Sequence, residues 1–209
     1  MLKPSIKDVW KEAWNSPVTR LRLIVIIVLI PVFTLSLPYF FTYVEARKGV
    51  VLNDWLLAQI PARNVSVLIF AVIWGMMLLL FYRSLRSPSI FITYMLSLAV
   101  VTITRIICIA VFKLEPPIGL IPIVDPLTGV FYGEAPITKD LFFSGHTATV
   151  MLIFLCLEKK TDRLIGLAAV IAIMCLLLIQ HIHYTIDVVA APPMVYGGYR
   201  LMRYFLYKR

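Results

Sequence analysis

Charged residues are scarce in this chain. Asp, Glu, Lys and Arg make up 15% of its 209 residues, against about a quarter in soluble domains. With 61% hydrophobic residues and a mean hydropathy of +0.91, that scarcity excludes an ordinary soluble domain and marks an integral membrane protein. Cysteine is rare too. Cys108, Cys156 and Cys175 each lie in an apolar run and none is spaced as a metal or redox pair, so they read as small core residues. No internal repeat or low-complexity tract is present. The net charge of +9 is not gathered on a basic face interleaved with aromatics, so no nucleic-acid partner is expected and membrane orientation accounts for the charge. A cleavable leader is also not expected, because the first apolar run starts near Leu21, is too long and lacks a small-x-small exit.

What is present is helix of two kinds. Residues 1–20 place Ile6, Val9, Trp10, Ala13 and Trp14 on one face, with Lys7, Asp8, Lys11 and Glu12 largely opposite. This reads as a short amphipathic helix in the membrane interface, ending near Pro17. Residues 21–209 form the second unit, with apolar stretches at roughly 21–43, 64–82, 88–113, 142–157, 163–180 and 183–206. The expected fold is therefore all-α, a polytopic six-helix membrane domain, with Pro31, Pro38, Pro192 and Pro193 kinking its first and last helices. Placing both termini in the cytoplasm puts fourteen Lys and Arg inside and five outside (Arg47, Lys48, Arg63, Lys113 and Lys139), with Arg105 left inside the third span.

That orientation brings two distant motifs to one exoplasmic layer. "DLFFSGHTATVMLIFL" sets His146 at the mouth of the fourth span, and "HIHYTIDVVAA" opens the sixth with His181, His183 and Asp187. An intramembrane histidine is costly unless paired, and so points to function. On a helix the i to i+4 spacing of His183 and Asp187 puts ring and carboxylate on one face, fixing a tautomer. His183 is the expected active ring and His146 the acid across the gap, with His181 read as a rim residue. Two rings at i and i+2 diverge by about 200° on a helix, which argues against a metal site. Ser144 and Gly145 precede the fourth helix, whose free N–H groups suit a phosphate. Arg105 adds a fork for phosphate oxygens, and Lys139 is a further phosphate candidate. The loop from Lys113 to Asp140, rich in Pro and Gly, is expected to cover the mouth of the site.

"SGHT" followed some 35 residues later by "HIHYTIDV" closely resembles the sphingomyelin synthase branch of the type 2 phosphatidic acid phosphatase superfamily. The Lys-x6-Arg-Pro and Ser-Arg signatures of the wider superfamily are missing, since neither an Arg-Pro nor a Ser-Arg dipeptide occurs, and this favours the synthase branch. The resemblance implies a nucleophilic His183 supported by Asp187, and a His146 that handles the proton of the leaving or incoming hydroxyl. It implies a phosphotransferase that moves a phospho-headgroup from a glycerophospholipid to a lipid alcohol, ceramide- or diacylglycerol-like, through a phosphohistidine. A lipid-phosphate phosphatase with water as acceptor is the nearest alternative, and a non-enzymatic scaffold or transporter the more distant one. No cofactor or metal is implied. The expected partners are the two lipids, and a homo-oligomer is compatible with the sequence.

The orientation is directly testable. A cysteine at Lys139 should react with an impermeant thiol reagent added from outside, and one at Lys160 should react only after permeabilisation. Outside labelling of Lys160→Cys would reverse the assignment.

Overall fold

The computed structural model describes residues 4–123 and 137–208, all-α apart from one isolated parallel bridge between Val50 and Leu114. The helices are α1 (Ile6–Asn15), α2 (Pro17–Ala46), α3 (Ser66–Ser84), α4 (Pro88–Val111), α5 (Gly145–Cys156), α6 (Lys160–Ile179) and α7 (Thr185–Tyr207), with a 3-10 turn at Leu57–Gln59. Residues 124–136 of the expected cover over the site lie outside the described residues.

Local chemistry sets the boundaries. Ser5 caps α1, its Oγ accepting from the Asp8 amide at 3.2 Å. Pro17 and Pro88 occupy first helical positions, where a missing N–H costs nothing. Pro17 therefore begins α2 as well as ending α1. The α2 and α7 helices run through Pro31 and Pro38, and through Pro192 and Pro193. In α2 the Thr34 and Thr42 hydroxyls donate to the carbonyls four residues back, at 2.9 Å each.

Four helices are long and apolar enough to cross a membrane: α2, α3, α4 and α6. This departs from the expected six. The α5 helix has only 12 residues, about 18 Å of rise against a hydrocarbon layer of ~30 Å. The α7 helix has 23 residues, but Asp187, Arg200 and Arg203 dilute its apolar character. The protein is thus a membrane-embedded helical bundle in which one central helix is short.

That short helix is the hub. Val150, Leu152 and Ile153 of α5 are fully buried against Ile173 and Leu177 of α6, Val188 and Val195 of α7, Tyr94 and Val101 of α4, and Ile69 of α3. A helix apolar all round belongs in the middle of a bundle. Outward-facing Leu35, Val67, Leu164 and Phe205 are exposed, which is the pattern of a surface solvated by lipid tails. At the end of the bundle opposite the histidines, Arg83 of α3 grips buried Asp162 of α6 through two bonds of 2.6 and 2.9 Å. Stripping one partner from such a pair leaves a buried charge, at a cost of about 3–5 kcal/mol. The expected amphipathic helix docks across this end, with Trp10 Nε1 donating to the Leu85 carbonyl at 3.0 Å and its ring edge-on to Phe91.

Candidate active site

The turn that launches α5 is built by hydrogen bonds from three directions. Ser144 is the N-cap, and its Oγ accepts from the Thr147 amide at 3.3 Å. Its own amide donates to the Asp187 carbonyl at 3.1 Å, tying the "SGHT" turn to the first turn of α7. The third comes from Arg105 on α4, whose Nε donates to the Phe143 carbonyl at 2.9 Å and whose Nη2 meets Asp140 Oδ1 at 2.5 Å. The guanidinium lies flat against Gly145, and a Cβ added there would stand 2.8 Å from its carbon and both terminal nitrogens. Glycine is thus required at 145 by close approach, and the positive fork rests on the N-terminus of α5. The Thr147 and Ala148 amides are taken by Ser144, while the Gly145 amide makes no bond within the described residues. Arg105, Ser144 and Gly145 therefore meet at one corner with donors to spare.

The two histidines face each other at its edge, ring centroids 6.3 Å apart and planes inclined at 69°. His146 is the second residue of α5 and is partly exposed, whereas His183 and Asp187 are buried. His183 does not sit on a helix as the spacing suggested. It lies two residues ahead of α7, whose N-cap is Tyr184, and Asp187 is the third residue of that helix. The two still meet, because the chain folds back at the cap: Asp187 Oδ2 accepts from the Tyr184 amide at 3.0 Å and stands 3.5 Å from His183 Nδ1. That separation is contact without a hydrogen bond, and both His183 Nδ1 and Asp187 Oδ1 are buried without a hydrogen-bond partner among the described residues. Catalytic hydrogen bonds are often this loose before substrate arrives.

His181 is not a rim residue. It is buried with φ 56°, its Nδ1 3.2 Å from the Ile118 carbonyl and its Nε2 2.7 Å from the Ile60 carbonyl. Both ring nitrogens are engaged in holding two loops, which removes His181 from the chemistry. Lys139 Nζ is likewise committed, to the Arg47 carbonyl at 2.6 Å and to Glu115 at 3.0 Å. A phosphate contact by Lys139 would require that pair to open.

Asp140, Asp54 and Gln180 were passed over in the sequence, although each organises this end of the bundle. Asp54 accepts from the Thr185 amide at 2.5 Å and its hydroxyl at 2.9 Å, so a loop carboxylate caps α7. Gln180 is fully buried and saturated by Val65, Ser66 and Ile121. Asp140 is the most consequential. Burial pushes its carboxyl up, but the Arg105 charge, the Arg105 hydrogen bond and the charges of His183 and His146 outweigh burial and hold it below the ordinary aspartate range. Four ionisable groups thus share one field. The signal in the sequence was an acid four residues ahead of Ser144, indistinguishable there from a solvated loop charge.

Two outcomes follow from this geometry. Gly145→Ala should displace the guanidinium and cut turnover by at least about tenfold in a lipid assay, without loss of the folded protein. Asp140→Asn should lower thermal stability at neutral pH by about 1.5–3 kcal/mol, the worth of a charge-assisted hydrogen bond. Because the folded carboxyl lies below its unfolded value, the Asp140 contribution is complete above about pH 4 and is lost as pH falls through the lower folded value. The deficit of the variant should therefore shrink on acidification. A deficit unchanged between pH 7 and pH 3 would remove the ion pair as its cause.

No curated protein and no solved structure matches the chain. Residues 139–202, which run from Lys139 through both histidine motifs to the last turns of α7, match the family described as PAP2 superfamily C-terminal. That match covers less than half of the chain, and it supports a place for this segment in the type 2 phosphatidic acid phosphatase superfamily and for phosphatase-type chemistry on lipid phosphates.

Proposed function

We propose that the protein is a membrane phosphotransferase of the sphingomyelin synthase type, moving a phospho-headgroup from a glycerophospholipid to a lipid alcohol. The observation that carries this reading is the opposition of His146 and His183 across a corner floored by Arg105 and the α5 N-terminus. Asp187 faces His183 Nδ1, leaving Nε2 as the nucleophile. Its lone pair forms the N–P bond while the bond from phosphorus to the diacylglycerol oxygen breaks, and His146 gives that oxygen its proton. In the second half the acceptor hydroxyl loses its proton to His146, its oxygen attacks phosphorus, and His183 leaves. Arg105 and the Gly145 amide hold the equatorial oxygens throughout. The same reading has all of α2 to α7 traverse the bilayer, with both termini cytoplasmic and the histidines on the exoplasmic side.

Hydrolysis is the second reading, favoured by the PAP2-type match of residues 139–202. Water then takes the place of the lipid hydroxyl at the same three residues. Mass spectrometry of products from defined donors separates the two, since transfer yields a new headgroup lipid and hydrolysis yields phosphate or a free phospho-headgroup.

The covalent step has its own test. With labelled donor and no acceptor, His183→Ala should release no diacylglycerol, whereas His146→Ala should label His183 slowly. Asp187→Asn should cost about 10²- to 10⁴-fold in rate, as an orienting carboxylate does in a catalytic triad. Absence of label on His183 in every variant, or inverted phosphorus stereochemistry, would replace the double displacement by a single one.

A further inference from the structure

One cavity lies at the end of the bundle away from the histidines, with an apolar wall of Val9, Ala13, Pro88 and Ile92 and a polar one of Glu12, Ser16, Thr19, Arg22 and Ser89. It has a volume of about 370 Å³ and lies where α1, the first turns of α2 and α4, and the last turn of α7 come together. The α4 helix runs from this cavity to Arg105, so the two sites are separated by about 25 Å of helix rise. The volume is within the range of small-ligand sites, roughly 300–1,000 Å³.

Its wall carries one charge of each sign. Arg22 donates one bond, Nη2 to the Leu206 carbonyl at 2.6 Å, which fixes the guanidinium at the rim with further donors available. Glu12 lines the same cavity and forms no ion pair or hydrogen bond through its carboxylate among the described residues. The two charges therefore share a space without neutralising each other. Around Arg22 lie two helix starts and their hydroxyls, Thr19 donating to Ser16 Oγ at 3.2 Å and Ser87 Oγ 2.9 Å from Ser89 Oγ. Neither N-cap, Ser16 of α2 or Ser87 of α4, makes a side-chain cap bond, and both helices begin with a proline. Ser16, Thr19 and Ser89, from the two uncapped starts, all line the cavity. Two helix N-termini and a guanidinium form a positive pole suited to a phosphate, and the Glu12 side forms a negative one.

We propose that this cavity binds the headgroup of an amino-phospholipid, with its phosphodiester on Arg22 and the two helix starts and its primary ammonium on Glu12. Depth argues for a membrane lipid over a soluble ligand, because Trp10 and Trp14 of α1 mark this end as interfacial, with Trp14 exposed beside the cavity-lining Ala13. The ammonium is primary because Glu12 can accept its N–H bonds. A trimethylammonium has none to give and needs an aromatic cage, whereas Tyr207 is the one ring in the lining, its hydroxyl 3.0 Å from Thr93. A headgroup without an amine leaves Glu12 facing the lipid phosphate, a like-charge penalty. The bound lipid would tie α1 to α2, α4 and α7.

The test is lipid retention by the full chain in detergent, offered phosphatidylethanolamine, phosphatidylcholine and phosphatidylglycerol of identical acyl chains in equal amounts, and read by native mass spectrometry. One phosphatidylethanolamine per chain should be kept about tenfold over either competitor, the ratio expected of one charge-assisted hydrogen bond. Arg22→Gln should lower retention of that lipid by about tenfold. Glu12→Gln breaks no contact within the described residues, and should leave retention while abolishing the preference over phosphatidylcholine. His183→Ala should retain the lipid as the parent does, which separates this cavity from the active site. Equal retention of the three lipids by the parent, an undiminished preference in Glu12→Gln, or loss of the lipid in His183→Ala would overturn the proposal. So would displacement by an equal concentration of soluble glycerophosphoethanolamine, since the headgroup alone would then be the ligand.

Discussion

The contact on which the site depends is that of the Arg105 guanidinium with the first turn of α5. A cation on a span and the positive end of a helix would ordinarily repel each other. They are held together because Asp140 accepts from one side of the guanidinium, the Phe143 carbonyl accepts from another, and Gly145 presents no side chain between them. Once the turn is pinned, Ser144 can donate to the Asp187 carbonyl, and the start of α7 is fixed with respect to α5. The two histidines owe their opposition to that chain of contacts more than to any bond between them. The arrangement also brings a guanidinium, half neutralised by Asp140, against a helix N-terminus, the kind of preorganised donors that the proposed phosphodiester would meet.

The remainder of the histidine end is stitched by carboxylates that accept backbone amides, a different solution from helix packing. Glu45 on α2 takes the amides of Thr138 and Lys139, Glu115 takes that of Gly49, and Asp54 caps α7. Tyr184 adds a cross-tie, donating to the Glu115 carbonyl and accepting from Leu52. The Glu115 carboxyl is lowered first by the Gly49 amide and then by the Lys139 hydrogen bond, so it is charged across the neutral range. Loops at a membrane boundary cannot rely on water for every amide, and these acids supply the missing acceptors.

The sequence disclosed the two motifs and their convergence because those rest on short-range patterns: an apolar run, a helix start, a histidine four residues from an aspartate. The apolar stretches placed the ends of α2 to α7 to within four residues. The geometry of His183 was not legible, since i to i+4 contact arises equally on a helix and across an N-cap, and only the position of Tyr184 decides between them. The roles of His181, Asp140 and Gln180 were hidden for a related reason. Their partners, Ile60, Arg105 and Ser66, are 121, 35 and 114 residues away, and no local period announces such pairings. Hydropathy does not distinguish a helix buried by its neighbours from one immersed in lipid, so four of the six expected spans are supported by length and composition and α5 and α7 are not.

The shortness of α5 has a consequence for access. Its neighbours surround it, so the bilayer has no need to thin to match its 12 residues. A helix about 12 Å short of the hydrocarbon layer can begin inside the protein, and the SGHT turn that begins it takes its hydrogen bonds from Arg105 and the first turn of α7. Under the proposed function a phosphodiester would have to come to the level of that turn and exchange water for the donors of Arg105 and Gly145. A lipid hydroxyl would be carried to that depth by its tails, which would favour it over bulk water as acceptor.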